Sequence, residues 1–147
     1  MATIRLPNDF KELLRLFHSS HVEYLLVGGY AVNYYGYSRS TGDMDIWISR
    51  TLENATNVAA ALREFGFANA RLESFLEPDR MVRMGVPPLR VEILTSISGV
   101  EFPECYSRRA IIEVDGVPIS VIRIDDLKHN KLASGRLKDL ADLEALE

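Results

Sequence analysis

Tyr24-Leu25-Leu26-Val27 is an unbroken apolar run that stops on Gly28-Gly29. A run this short, closed by glycine, reads as a strand buried on both faces. Such a strand needs cover on each side, and the flanking sequence supplies it in helical form. Upstream, Phe10, Leu13, Leu14 and Phe17 recur at i, i+3, i+4, i+7 behind Asn8 or Asp9 as a cap. Downstream, Tyr30 to Tyr35 fits a short helix ended by Gly36, and Leu52 to Phe65 carries a stripe of Val58, Ala61, Leu62 and Phe65 closed by Gly66.

Further strands alternate with these helices. Asp43-Met44-Asp45-Ile46-Trp47-Ile48 has Met44, Ile46 and Ile48 on one, core-facing side. Met81–Met84 and Leu89–Leu94 follow, the second entered in extended form through Pro87-Pro88. Ala110–Val114 and Val117–Ile122 flank Asp115-Gly116, a turn pair of two-residue hairpins. Asp125 or Asp126 is a candidate cap for a helix through Lys128 and Lys131, interrupted near Gly135. A last helix, Lys138 to Leu146, has Leu140, Leu143 and Leu146 on one side. The alternation predicts an α/β (α+β) fold, a mixed β-sheet flanked by helices.

Size and composition narrow the function classes. The 147 residues amount to one domain, expected to span 1–147, and 47 % apolar content suffices for a core without disulfides or metal staples. One cysteine, Cys105, cannot form an internal bridge, and with no apolar leader the expected location is cytoplasmic. No apolar run is long enough to span a bilayer, so no membrane partner is expected. A net charge of −4 argues against coating nucleic acid through bulk positive charge. No Gly-x-Ser-x-Gly, P-loop or paired-cysteine pattern is present, which removes triad hydrolases, P-loop ATPases and zinc sites.

Three acids and a glycine turn remain. Asp43 and Asp45, two apart on a strand, project from one face, and Glu92 interrupts the apolar Val91-Glu92-Ile93. Each has a plainer reading as a solvated acid. If they converge at ~6–7 Å, each pair repels by about 2.5 kcal/mol at an effective dielectric of 20. A divalent cation relieves that repulsion, and hard oxygen ligands suit Mg²⁺ shared with substrate phosphates. Gly28-Gly29 at a strand-to-helix junction permits close backbone approach to phosphate, or simply makes a tight connection.

Val27-Gly28-Gly29-Tyr30, then Arg39-Ser40-Thr41-Gly42-Asp43-Met44-Asp45-Ile46, then Arg90-Val91-Glu92-Ile93-Leu94 resembles the minimal nucleotidyltransferases of the polymerase β superfamily. The tail, with Lys131, Arg136, Lys138, Asp139, Asp142, Leu143 and Glu144, is similar to the abortive-infection (AbiEii-like) toxin nucleotidyltransferases. The resemblance implies a nucleotidyltransferase-like fold and a reaction that moves NMP from an NTP to a hydroxyl of RNA such as tRNA, of protein or of a small molecule. It implies that Gly28 and Gly29 hold the triphosphate, that Asp43 and Asp45 ligate two Mg²⁺ ions, and that Glu92 ligates the second ion and helps deprotonate the acceptor. Arg39 and Lys131 are the candidate triphosphate contacts. Glu92 stands where Asp is commoner in the family, and Gly29 where Ser is frequent. A toxin–antitoxin role is implied, with an antitoxin or a second copy as partner.

The alternative is a catalytically silent nucleotide- or partner-binding, antitoxin-like module of the same fold; a plainer one is an interaction protein with a structural acidic cluster. Arg80, Arg83 and Arg90 form a candidate basic strip beside Glu92. Asp139 and Asp142 read as structural, paired with Lys138, Arg136 or the helix N-terminus. His18 and His21 lack a third metal ligand nearby, and Tyr37 and Trp47 are outside candidates for stacking a base.

Overall fold

The computed structural model describes residues 6–36 and 42–146. The elements in order are α1 (Asn8–Ser19), β1 (Tyr24–Val27), α2 (Gly28–Tyr34), β2 (Met44–Ile48), α3 (Leu52–Phe65), a 3₁₀ turn (Leu72–Phe75), β3 (Met81–Met84), β4 (Val91–Leu94), α4 (Phe102–Ser107), β5 (Ala110–Val114), β6 (Val117–Val121), α5 (Ile124–Ser134) and α6 (Leu137–Leu146). Six strands form one mixed sheet in the order β3-β4-β2-β1-β6-β5. β1 runs antiparallel to β2 and parallel to β6, and β2 runs parallel to β4. The expected mixed sheet flanked by helices is therefore the architecture observed.

Side-chain alternation divides the core between the two faces. Met44, Ile46 and Ile48 are fully buried beside Tyr24 and Leu26, which pair with Ile48 and Ile46 across the ladder. Phe17 of α1 meets Tyr24 edge-on at 5.6 Å between ring centroids, placing α1 over this face. α3 packs beside α1. Phe10, Leu13, Leu14 and Phe17 are all buried, as their helical spacing requires. On the opposite face, Trp47 packs edge-on against Phe102 of α4 at 5.1 Å. Trp47 is 1 % exposed, so it belongs to the core and offers no open face for a base.

Three local expectations are corrected. α1 begins after Pro7 and α5 after Arg123, neither with a side-chain cap, so Asn8, Asp9, Asp125 and Asp126 lie within the first turns. There the acids still complement the helix dipole. The glycine pair is the first turn of α2, and it does not precede the helix. β4 starts at Val91, because Pro87 to Ser96 contributes ladder pairing only from that residue to Leu94. Asp115 and Gly116 both take positive φ, 50° and 82°, as the expected hairpin turn demands. Among the described residues no helix is long and apolar enough to cross a membrane.

Candidate functional site

One rung of the sheet carries the central groups. Val27 of β1 pairs with Asp45 of β2, Asp45 with Glu92 of β4, and Glu92 with Arg83 of β3. Residues directly opposite in a ladder share a face, so Asp45, Glu92 and Arg83 project together, on the side covered by α4. Asp43 precedes β2 and its carboxyl also lies against Glu92. The three acids expected from sequence are thus brought together.

Gly28 fits tightly against this group. Its φ is +66°, and a Cβ there would lie 2.2 Å from Asp45 Oδ2. Both the backbone conformation and the close approach demand glycine. Gly28→Ala is expected to lose about 1–2 kcal/mol from left-handed strain and to push the Asp45 carboxyl aside. Urea denaturation measures the loss, and an unchanged midpoint would contradict this packing.

Charge in the site is balanced by the chain's own groups. Arg90 grips Asp43 with both arms of its fork, Nε to Oδ1 at 3.1 Å and a terminal nitrogen to Oδ2 at 2.7 Å. Arg83 reaches Glu92 Oε1 at 3.0 Å. The Arg90 hydrogen bonds hold Asp43 below its ordinary pKa. Asp45 moves the other way. Burial, then the adjacent Glu92, pushes it up to about 7, and its Oδ1 is buried without a hydrogen-bond partner. The basic strip expected at Arg83 and Arg90 therefore neutralises acids, while Arg80 pairs its backbone with Thr95.

A cleft of about 300 Å³ opens beside the rung. Gly28, Gly29 and Asp45 line one wall, and Lys131, Ser134, Arg136, Lys138 and Asp139 line the other. Gly28, Gly29 and Lys131, separate in sequence, thus face one space. Arg39 and Tyr37 lie outside the described residues. His18 and His21 line a different cavity, near Tyr24 at the other end of β1.

The Lys131 wall is built from a turn. Gly135, in left-handed conformation, ends α5 and lets α6 fold back. This places Lys131 Nζ 3.0 Å from Asp139 Oδ1 and 3.2 Å from Asp142 Oδ2, all three side chains almost completely buried. Asp139 also accepts from Ser134 Oγ and from Arg136 Nε. Burial raises the Asp139 pKa, but hydrogen bonds from Ser134, Arg136 and Lys131 override it and leave it at about 2. Asp139 and Asp142 are structural, as expected, with Lys131 as their shared partner. Ser134 went unremarked in the sequence, although its place three residues after Lys131 on one helix was a usable signal.

The donor set is all oxygen, and the orphaned Asp45 Oδ1 suits a hard cation. Among the described residues no three His, Cys, Asp or Glu side chains already stand as a metal cage. Arg90 and Arg83 hold two of the acids in ion pairs.

No protein-family model and no curated protein matches the sequence. Among solved structures, a protein from Thermotoga maritima provisionally described as a nucleotidyltransferase aligns with a TM-score of 0.64 and 15 % identity, over 94 % of this chain and 89 % of that one. An antigenic nucleotidyltransferase-like protein from Paracoccidioides brasiliensis aligns with a TM-score of 0.57 and 15 % identity, over 98 % of this chain and 78 % of the other. The chain has the nucleotidyltransferase fold.

Proposed function

We propose that this protein is an Mg²⁺-dependent nucleotidyltransferase. The single observation that carries the reading is the Asp45–Glu92 pair, neighbours on adjacent strands of this fold, with Asp43 against Glu92 and Gly28 against Asp45. The cation, held by Asp43, Asp45 and Glu92, would polarise the phosphate oxygens and offset charge on the attacking and departing oxygens.

The remaining work falls to the chain itself. The Gly28-Gly29 backbone and the Arg136 and Lys138 cations border the space for the triphosphate. An acceptor hydroxyl forms a new O–P bond at the α-phosphorus as the α–β bridging bond breaks and pyrophosphate departs. Glu92, beside Asp45, receives the hydroxyl proton. Lys131, already neutralised by Asp139 and Asp142, fixes the cleft wall and supplies little free charge to a phosphate.

The acceptor is a hydroxyl of RNA, protein or a small molecule. The tail similar to abortive-infection toxins supports the toxin member of a two-component system. The alternative, a silent binding module, is favoured by one observation, the arginine grip on Asp43 and Glu92. Incubating the protein with Mg²⁺, each NTP labelled at the α-phosphate and a cell lysate separates them. Label transferred to a macromolecule or metabolite, and abolished by EDTA, is expected. Nucleotide binding without transfer from any NTP would replace the enzyme reading with the silent one.

A further inference from the structure

Two of the three acids that the proposed reaction assigns to a cation, Asp43 and Glu92, are each held by a guanidinium. Arg90 uses its fork on both oxygens of Asp43. Arg83 directs Nε at 3.1 Å and a terminal nitrogen at 3.0 Å onto one oxygen of Glu92. A bidentate fork takes one of the two lone pairs on each carboxylate oxygen, including the inner positions a chelating cation would use. A guanidinium and a divalent ion also repel when they share one carboxylate. Arginine and cation therefore compete at both Asp43 and Glu92.

Both arginines reach solvent. The Arg83 side chain is 48 % exposed and Arg90 is 29 % exposed, and both belong to the β3–β4 end of the sheet, on the rung next to Asp45, which lines the cleft. Turned off the acids, each presents a planar fork next to the reacting groups. That fork matches two oxygens of a phosphate as well as it matches a carboxylate.

We propose that Arg90 and Arg83 are exchangeable counter-ions, which release Asp43 and Glu92 to a divalent cation and then bind phosphate oxygens of the substrate. The inference rests on the nucleotidyltransferase reading and adds a coupling to it. Cation and phosphate each bind weakly alone, and each strengthens the other, because one displaces the arginines and the other captures them.

Isothermal titration of the full chain tests this, with Mn²⁺ as the cation probe and inorganic tripolyphosphate at saturating Mn²⁺ as the phosphate probe. Arg90→Gln and Arg83→Gln are each expected to bind Mn²⁺ about fivefold or more tightly than the parent, and tripolyphosphate about fivefold or more weakly. Arg80→Gln removes the same charge from the same strand edge, and Arg80 forms no ion pair among the described residues. It is expected to change both affinities less than about twofold.

Unchanged or weaker Mn²⁺ binding by both clamp variants, with the parent still binding, overturns the exchange and leaves the enzyme reading standing. Equal opposing shifts in Arg80→Gln also overturn it, by showing bulk charge at work. Failure of all four proteins to bind Mn²⁺ removes the enzyme reading and the exchange with it.

Discussion

Asp45→Asn is expected to reduce nucleotidyl transfer by about 10²–10³ and, in EDTA above neutral pH, to make the protein more stable. Both effects come from one carboxyl. Asn preserves the shape but cannot supply an anionic oxygen, so the cation of the proposed reaction would lose the ligand that lies against Gly28. The stability effect follows from the raised pKa. Asp45 titrates at about 7 in the fold against an ordinary 3.8, so the folded state retains a proton the unfolded chain has released. Stability from this group is present at low pH and falls as pH rises from about 4 to about 7, by at most about 4 kcal/mol. Urea midpoints of parent and variant, measured in EDTA across that window, should diverge steadily. Parallel curves would show that Asp45 ionises in the fold without penalty.

Lys131→Met is expected to remove about 3–5 kcal/mol of stability at neutral pH, because it removes the buried cation that two interior carboxylates share. Asp139 keeps Ser134 and Arg136, whereas Asp142 loses the lysine from a side chain only 3 % exposed. The triple variant Lys131→Met, Asp139→Asn, Asp142→Asn should recover most of the loss, since no buried charge is then stranded. In the parent, the lowered Asp139 pKa supplies stability that is present above about pH 4 and lost as pH falls towards 2. A loss below about 1 kcal/mol in Lys131→Met would mean the three groups are solvated, as in a surface pair.

The sequence made some of this legible and hid the rest for physical reasons. β1, α3, β3 and β5 have the limits their apolar period and glycine stops imply, because those signals are local, and β6 ends one residue before the expected Ile122. The placement of Asp43, Asp45 and Glu92 followed from ordered motifs on a strand or its end, and that of Gly28 from the stop that closes β1 and opens α2. α4 left little trace. It spans six residues, and only Phe102 and Cys105 turn inward. α6 misled in a more instructive way. Leu140, in the leucine stripe, is 39 % exposed and Leu137 is 87 % exposed, while Asp139 and Asp142 are buried. The helix docks by its acids, and the partner that makes this favourable, Lys131, lies on another helix beyond the Gly135 turn. Hydrophobic periodicity cannot register such a pairing. Likewise, nothing local to Asp43 announces Arg90, which is 47 positions away.

The rung through Val27, Asp45, Glu92 and Arg83 ties correct folding to correct chemistry. If β4 slipped one residue along β2, Val91 or Ile93 would replace Glu92 beside Asp45, and the glutamate would turn into the apolar layer beneath α1. The same error would separate Glu92 from Asp45 and strand a charge in the core. Misregistered chains are thereby penalised by the packing that would otherwise have tolerated an inert product. Strand pairing acts as proofreading, and a molecule that passes it already has its carboxylates in place.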